Sequence, residues 1–374
     1  MSQAAGVEGN TELLRRIALR LEQSPDGWLS FRDYMEMCLY EPGCGYYTSE
    51  REKLGRTGDF YTSSSLGGLL GECLAHYIDR EMNQAEGPLH LVEWGGGSGR
   101  LARQVLEALQ ERNPALYDRL TYTGVETSPY HRRLQNEALQ AHGTRIRIIP
   151  PEAWKPSSGQ GRTLVFSNEL PDAFPVHRVV YRPEGWMELG VRRRVVDGQL
   201  EEAERPVSGG ELEHYITSER LPRREGQRFE AGLDALRWYR SLASKLAPQS
   251  LVVTIDYGDV REELHAAHRM NGTLLCYRHH AASDTPLIDA GEQDMTAHVN
   301  FSAWMETGER ASLSTVTYQT QKQFLVEQGI LGLLHDHDAR DPFSETAKRN
   351  RAIRQLLLSD SMSELFKVLI QIKK

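Results

Sequence analysis

The chain of 374 residues is too long for one small core, so one large domain with insertions or two domains is expected. Hydrophobic content of 39% beside 26% charged residues is ordinary for a globular protein, and no run approaches the ~20 apolar residues that span a bilayer. A net charge of −8 argues against general nucleic-acid binding, which needs a basic face, and suits a basic partner.

The stretch from Met1 to Thr11 is small and polar, with neither a signal-peptide core nor an Arg-rich transit pattern, so a cytosolic (cytoplasmic) protein is expected. Leu13, Leu14, Ile17, Ala18 and Leu21 have helical spacing. A second helix is expected over 31–40, opened by Ser30 as N-cap and stopped at Glu41-Pro42-Gly43. Residues 54–65 read as a loop, and 66–83 as a helix. Short strands over 89–94, 122–126, 145–149 and 163–167 then alternate with helices over 101–111 and 130–141. That alternation predicts an α/β, doubly wound fold, with a parallel sheet and helices on both faces. Beyond Val176, three strands over 176–181, 185–196 and 199–204 read as a meander. A long helix over 229–246, a central strand over 250–257 and a strand over 272–278 follow. The tail adds a strand near 313–318 and helices near Gln321 and over 347–358. Cys38, Cys44, Cys73 and Cys276 form no CxxC pair, which leaves buried free thiols as the expectation. His335-Asp336-His337 and His279-His280 lack further ligands, so no metal is assigned.

The chemical signal is a strand, then Glu93-Trp94-Gly95-Gly96-Gly97-Ser98-Gly99, then a helix. Glycines let the backbone turn sharply and approach a ligand, and they deliver the chain into a helix N-terminus. A carboxylate two residues before the first glycine can face the sulfonium and amino groups of S-adenosylmethionine, where a dinucleotide site must hold a pyrophosphate. Gly97 to Ala102 also matches G-x-G-x-x-A, the dinucleotide fingerprint, which keeps an oxidoreductase as a rival. Glu126 ends the next strand, where an acid binds ribose hydroxyls in both cofactor classes. Asn168, Glu169 and Asp172 follow the fourth strand and are placed to meet cofactor or substrate. If the acceptor is an arginine, a carboxylate such as Glu169 could bind its guanidinium through paired hydrogen bonds.

These residues resemble the MidA-like methyltransferases, the family that includes the mitochondrial complex I assembly-factor arginine methyltransferase. The matching stretches are Glu41-Pro42 with Gly45-Tyr46-Tyr47, Gly58-Asp59-Phe60-Tyr61-Thr62-Ser63, and Glu93 with its glycines. Further matches are Val125-Glu126-Thr127-Ser128-Pro129, Asn168-Glu169 through Val176, Ile255-Asp256-Tyr257-Gly258, and Asp294 through Val299. The resemblance implies a class I, Rossmann-like methyltransferase sheet with S-adenosylmethionine as cofactor. Its contacts would be Gly58, Thr62 and Ser63 of the early loop, Glu93, Gly95, Gly97 and Gly99 of the turn, Glu126 with Thr127, and Asn168. It implies a protein substrate, with arginine as acceptor in one branch and a respiratory complex I subunit as one candidate. Glu169 and Asp172 become the catalytic expectations, and Tyr46, Tyr47 and His298 the substrate-binding ones. Residues 1–86 are then an N-terminal helical segment with a cofactor-covering loop. Residues 87–374 are the methyltransferase domain, with an inserted strand and helix subdomain at about 174–249 and C-terminal helices. Two departures stand out: Ser64-Ser65 replaces Pro-Glu, and Asn300 precedes Phe301 where the family has Asp. A cofactor-binding scaffold protein and a small-molecule methyltransferase remain alternatives, and a homo-oligomer is left open.

Overall fold

The computed structural model describes residues 9–49, 68–156, 161–279, 281–336, 341, 343–359 and 364–374. The chain divides into two compact units, each assembled from three stretches. The first takes Met1–Phe60, Pro171–Tyr239 and Gly258–Glu306; the second takes Tyr61–Leu170, Arg240–Tyr257 and Thr307–Lys374. The expected boundary at 86/87 falls inside the second unit, and the segment 174–249 is shared between both.

The second unit is a sheet with helices. Its strands, in chain order, are β1 (Leu89–Trp94), β2 (Leu120–Val125), β3 (Ile146–Ile149), β4 (Arg162–Asn168), β5 (Leu251–Asp259), β6 (Leu313–Thr320) and β7 (Phe366–Lys373). They lie in the order β6-β7-β5-β4-β1-β2-β3. β1 to β5 pair in parallel, and the interior residues of β4 and β5 are buried on both faces. Such strands need unbroken apolar runs, which Leu164-Val165-Phe166 and Leu251-Val252-Val253 supply. The helix Arg100–Arg112 turns Leu101, Ala102, Val105, Leu106 and Leu109 into the core, a 3.6-residue stripe that a strand could not present. The expected parallel sheet is corrected at one edge, because β7 runs antiparallel to both β5 and β6. From β1 the chain winds outward to β3, then returns to β4 and winds the other way. That reversal leaves a crevice at the carboxyl ends of β1 and β4, where open α/β sheets bind ligands.

In the first unit, helices Thr11–Gln23 and Phe31–Tyr40 share a core with Val176, Val191, Cys276 and Met295. Ser30 caps the second helix, accepting the Asp33 N–H through its hydroxyl. An antiparallel sheet joins Trp28–Ser30, His177–Arg182, Gly185–Arg193, Leu200–Pro206 and Arg228–Ala231. The last of these corrects the helix expected over 229–246. Phe229 and Ala231 are buried in alternation as a strand, and the helix begins only at Leu233, after Gly232. The strand expected over 272–278 is present as Leu275–Arg278, which pairs with Ala281–Ser283 and Asp294–Thr296. All four cysteines are buried and free. Among the described residues no helix is long and apolar enough to cross a membrane.

Candidate active site at the carboxyl ends of β1, β2 and β4

Gly95, Gly97 and Gly99 all take left-handed backbone, with φ of 70°, 53° and 77°. Side-chain-bearing residues rarely adopt it. The Gly95 N–H donates to the Val125 carbonyl at 3.0 Å, tying the turn to the end of β2. A Cβ on Gly95 would stand 2.8 Å from Leu170 Cδ1, and one on Gly96 would stand 2.7 Å from the Glu93 carboxylate. The turn is therefore bare by necessity. Gly99 then starts the helix Arg100–Arg112 without a side-chain cap, which leaves first-turn N–H groups available to a ligand.

Three polar residues end the strands around this turn. Glu126, at the end of β2, is 7% exposed. Its Oε1 accepts the Ser128 N–H at 2.9 Å and its Oε2 the Gly97 N–H at 3.3 Å. Burial pushes its pKa above the usual carboxylate range, and those N–H groups act against the shift. Thr127 beside it is exposed, and its carbonyl accepts from Arg132 at 2.8 Å. Asn168, at the end of β4, donates from Nδ2 to Glu169 Oε1 at 3.0 Å. Its Oδ1 is buried with no partner among the described residues. Glu169 is half-buried and holds φ 53°, strained for a residue with a side chain, while its N–H donates to the Ile255 carbonyl at 3.0 Å.

Glu93 does not face outward. It is 2% exposed, accepts the Tyr122 hydroxyl, and lies against Gly96. Burial raises its pKa to about 7; the Tyr122 hydrogen bond opposes the rise, and the Glu126 charge adds to it. Its place is as a support for the turn.

Other expected residues lie in the first unit. Asp172 is 4% exposed in the short turn Pro171–Ala173, and its carbonyl accepts the Ala297 N–H at 3.1 Å. Tyr46 is buried, and the Tyr47 hydroxyl donates to Asp294 at 2.7 Å with its ring stacked on Tyr40. Both are set as apolar anchors with polar tips. The His298 N–H donates to Thr273 Oγ1 at 3.1 Å, and the residue borders a cavity of about 30 Å³ with Tyr215, Glu230 and Trp304. The departure at Asn300 has a local reason. Its Oδ1 accepts the Ala303 N–H, and its Nδ2 donates to Tyr215 at 3.1 Å and to Glu219 at 2.7 Å. An aspartate there would confront the Glu219 carboxylate. Gly58, Thr62, Ser63 and the Ser64-Ser65 departure lie outside the described residues.

Reading the pattern of motifs misses Tyr122 and Gln135. Gln135 is fully buried on the inner stripe of the helix Pro129–Leu139, with His131 and Leu139 one turn away on either side. A glutamine on a stripe reserved for apolar residues is the signal that could have found it.

The bare glycine cradle, the Glu126 carboxylate at the end of β2 and the unpartnered Asn168 oxygen fit a ligand offering hydroxyl and amino donors. They define a Rossmann-like S-adenosylmethionine-dependent methyltransferase. Residues 70–319, about two thirds of the chain, match the model of a family described as "Putative S-adenosyl-L-methionine-dependent methyltransferase". The chain belongs to this family. A Burkholderia thailandensis protein crystallised with S-adenosyl-homocysteine is 32% identical, with coverage of 97% of this chain and 93% of its own, at a TM-score of 0.85. Among curated proteins, the Drosophila melanogaster protein arginine methyltransferase NDUFAF7 homolog, mitochondrial, is 28% identical, spanning 76% of this chain and 67% of its own. The Mus musculus protein arginine methyltransferase NDUFAF7, mitochondrial, is 28% identical over 86% of this chain and 74% of its own. These names overturn the expectation of a cytosolic protein. A polar N-terminal stretch carries too little information to assign a compartment.

Proposed function

We propose that the protein methylates an arginine side chain of a protein substrate, with Glu169 as the group that holds the guanidinium. The observation that carries this reading is Glu169 itself, a carboxylate in strained backbone where the strand order reverses. Strain of this kind persists only where surrounding structure imposes it, and it clusters at functional sites. The names of the curated relatives support arginine as the acceptor.

When bound, the cofactor supplies a methyl group on positively charged sulfur. Transfer to an acceptor nitrogen would be an in-line displacement, in which the N–CH3 bond forms, the S–CH3 bond breaks with its electron pair kept by the departing thioether, and the proton of the nitrogen passes to solvent. Positioning is the main demand, because holding two reactants in line removes much of the barrier. A guanidinium stays protonated near neutral pH, and a carboxylate matches its forked donors. Glu169 would take two of those N–H groups and leave the third nitrogen directed at the methyl carbon. Asn168 Nδ2 keeps the Glu169 carboxylate turned, through the bond it already makes. We assign Gly95, Gly97, Gly99, Glu126, Thr127 and Asn168 to the cofactor, with Gly58, Thr62 and Ser63 added on the family resemblance alone.

The test is transfer of labelled methyl from S-adenosylmethionine to the host's proteins, read by mass spectrometry of the modified residues. Methylated arginine is expected, and Glu169→Gln should lose about 100-fold or more of the rate while binding S-adenosylhomocysteine as the wild type does. Label on lysine or on a small molecule alone, or full turnover in the variant, would overturn the reading.

A further inference from the structure

We propose that Gln135 is a positioning residue for the cofactor, a buried clamp that locks the glycine turn to the Glu126 carboxylate. It reaches both partners from one amide. Nε2 donates to the Gly97 carbonyl at 3.1 Å and to Glu126 Oε2 at 3.5 Å. Gly97 in turn donates its own N–H to that same Glu126 oxygen. The two acceptors sit on one side, so only the NH2 group can face them, and the amide has one orientation. Its Oε1 points the other way, buried and without a partner among the described residues. An unpaired buried oxygen is unfavourable, and a purely structural position would be filled as well by leucine or methionine. The glutamine is kept for what its NH2 group holds.

The surroundings are shaped to admit it. A Cβ on Gly124 would lie 2.6 Å from Gln135 Oε1, and one on Gly99 would lie 3.1 Å from Gln135 Cα. One on Gly96 would lie 3.3 Å from Gln135 Nε2. Three glycines from two different segments thus border the same side chain. The clamp neutralises part of the charge density on Glu126 and fixes its rotamer before any ligand arrives. A carboxylate held in place loses less freedom on accepting a ligand's hydroxyls, which is where the affinity comes from.

The experiment is calorimetric titration of the full chain with S-adenosylhomocysteine, using Gln135→Leu, Gln135→Met, Glu126→Gln and the Gln135→Leu/Glu126→Gln double variant. Gln135→Leu and Gln135→Met keep the volume and lose the donor, and Met adapts where Leu fits poorly. Each is expected to weaken binding about tenfold, the effect of one lost hydrogen bond to a charged group. With saturating cofactor, kcat should stay within twofold of wild type while KM for S-adenosylmethionine rises. In the Glu126→Gln background the Gln135→Leu effect should shrink to less than threefold, since the clamp has lost the charge it holds. A melting temperature measured without ligand separates loss of folding from loss of binding. Unchanged affinity in both folded single variants, or a tenfold loss that persists undiminished in the Glu126→Gln background, would overturn the assignment.

Discussion

Glu93 is a carboxylic acid with almost no water around it, and its one strong partner is the Tyr122 hydroxyl. Its folded pKa of about 7 stands above the ordinary 4.5, so the folded protein holds that proton more tightly than the unfolded chain does. The stability tied to this group is complete below about pH 4.5 and is lost as the pH rises through 7, a change on the order of 3 kcal/mol. Glu93→Gln keeps an acceptor for Tyr122 and removes the titration. Denaturant midpoints at pH 5 and pH 8 should therefore lie closer together in Glu93→Gln than in the wild type; an unchanged gap would mean that Glu93 is ionised throughout. The neighbouring glycines allow a sharper statement. Gly97 needs its left-handed φ of 53°, so Gly97→Val should weaken S-adenosylhomocysteine binding by about 100-fold or more, measured by calorimetry. At this scale the sequence was informative about position and less so about direction. Spacing located Glu93 at the end of its strand, but nothing in it shows that the carboxylate turns inward to Tyr122. That partner lies on a different strand, and only the β1–β2 register brings the two together.

Elements tell a similar story through their packing. The stretch Ile255-Asp256-Tyr257-Gly258 is one of those that match the family pattern. In the structure Gly258 pairs with Val299, and a Cβ there would stand 2.2 Å from the Val299 carbonyl oxygen. Two stretches that match the family pattern, 255–258 and 294–299, therefore meet as one packing contact. Gly258→Ala should destabilise the protein by about 2 kcal/mol, through forced displacement of the 299 backbone and with no direct effect on cofactor affinity. Thermal unfolding beside a calorimetric Kd would separate the two; a normal melting curve with lost binding would contradict this reading. The helix expected over 229–246 failed for a related reason. Phe229 and Leu233 are four apart and suit a helical stripe, yet hydrogen bonding to His177–Arg182 draws 228–231 into the sheet. β7 is not among the expected strands: Phe366, Val368, Ile370 and Ile372 line one face, but Leu369 interrupts the alternation with Lys367 and Gln371 on the other. By contrast β1, β2 and the helices after them were legible. Each is bounded by its own local signals: the glycines after Trp94, and Ser128 capping with Pro129.

On the scale of the whole chain, the two units each bury their own side chains. One cluster in the second unit runs from Leu69 to Ile370, and the clusters of the first are built around Leu13, Tyr34 and Met295, and around Val179 and Phe229. The chain passes between the units five times, which no local pattern announces; hydrophobic periodicity reports which face is buried and is silent on the partner. Among the described residues, those assigned to the cofactor, Gly95, Gly97, Gly99, Glu126, Thr127 and Asn168, all belong to the second unit. A ligand that binds the folded form alone stabilises it by RT ln(1 + [L]/Kd), about 2.7 kcal/mol at a hundredfold excess over Kd. With separate cores, that stabilisation should act on the unit that carries the site. Native-state hydrogen exchange with S-adenosylhomocysteine at a hundredfold excess should slow the most protected amides of residues 164–166 and 252–255 by about 100-fold. Amides of residues 17–21 and 34–39, in the first unit, should change by less than threefold. Equal slowing in both sets would show that the units unfold together, and that the five crossings weld two cores into one cooperative molecule.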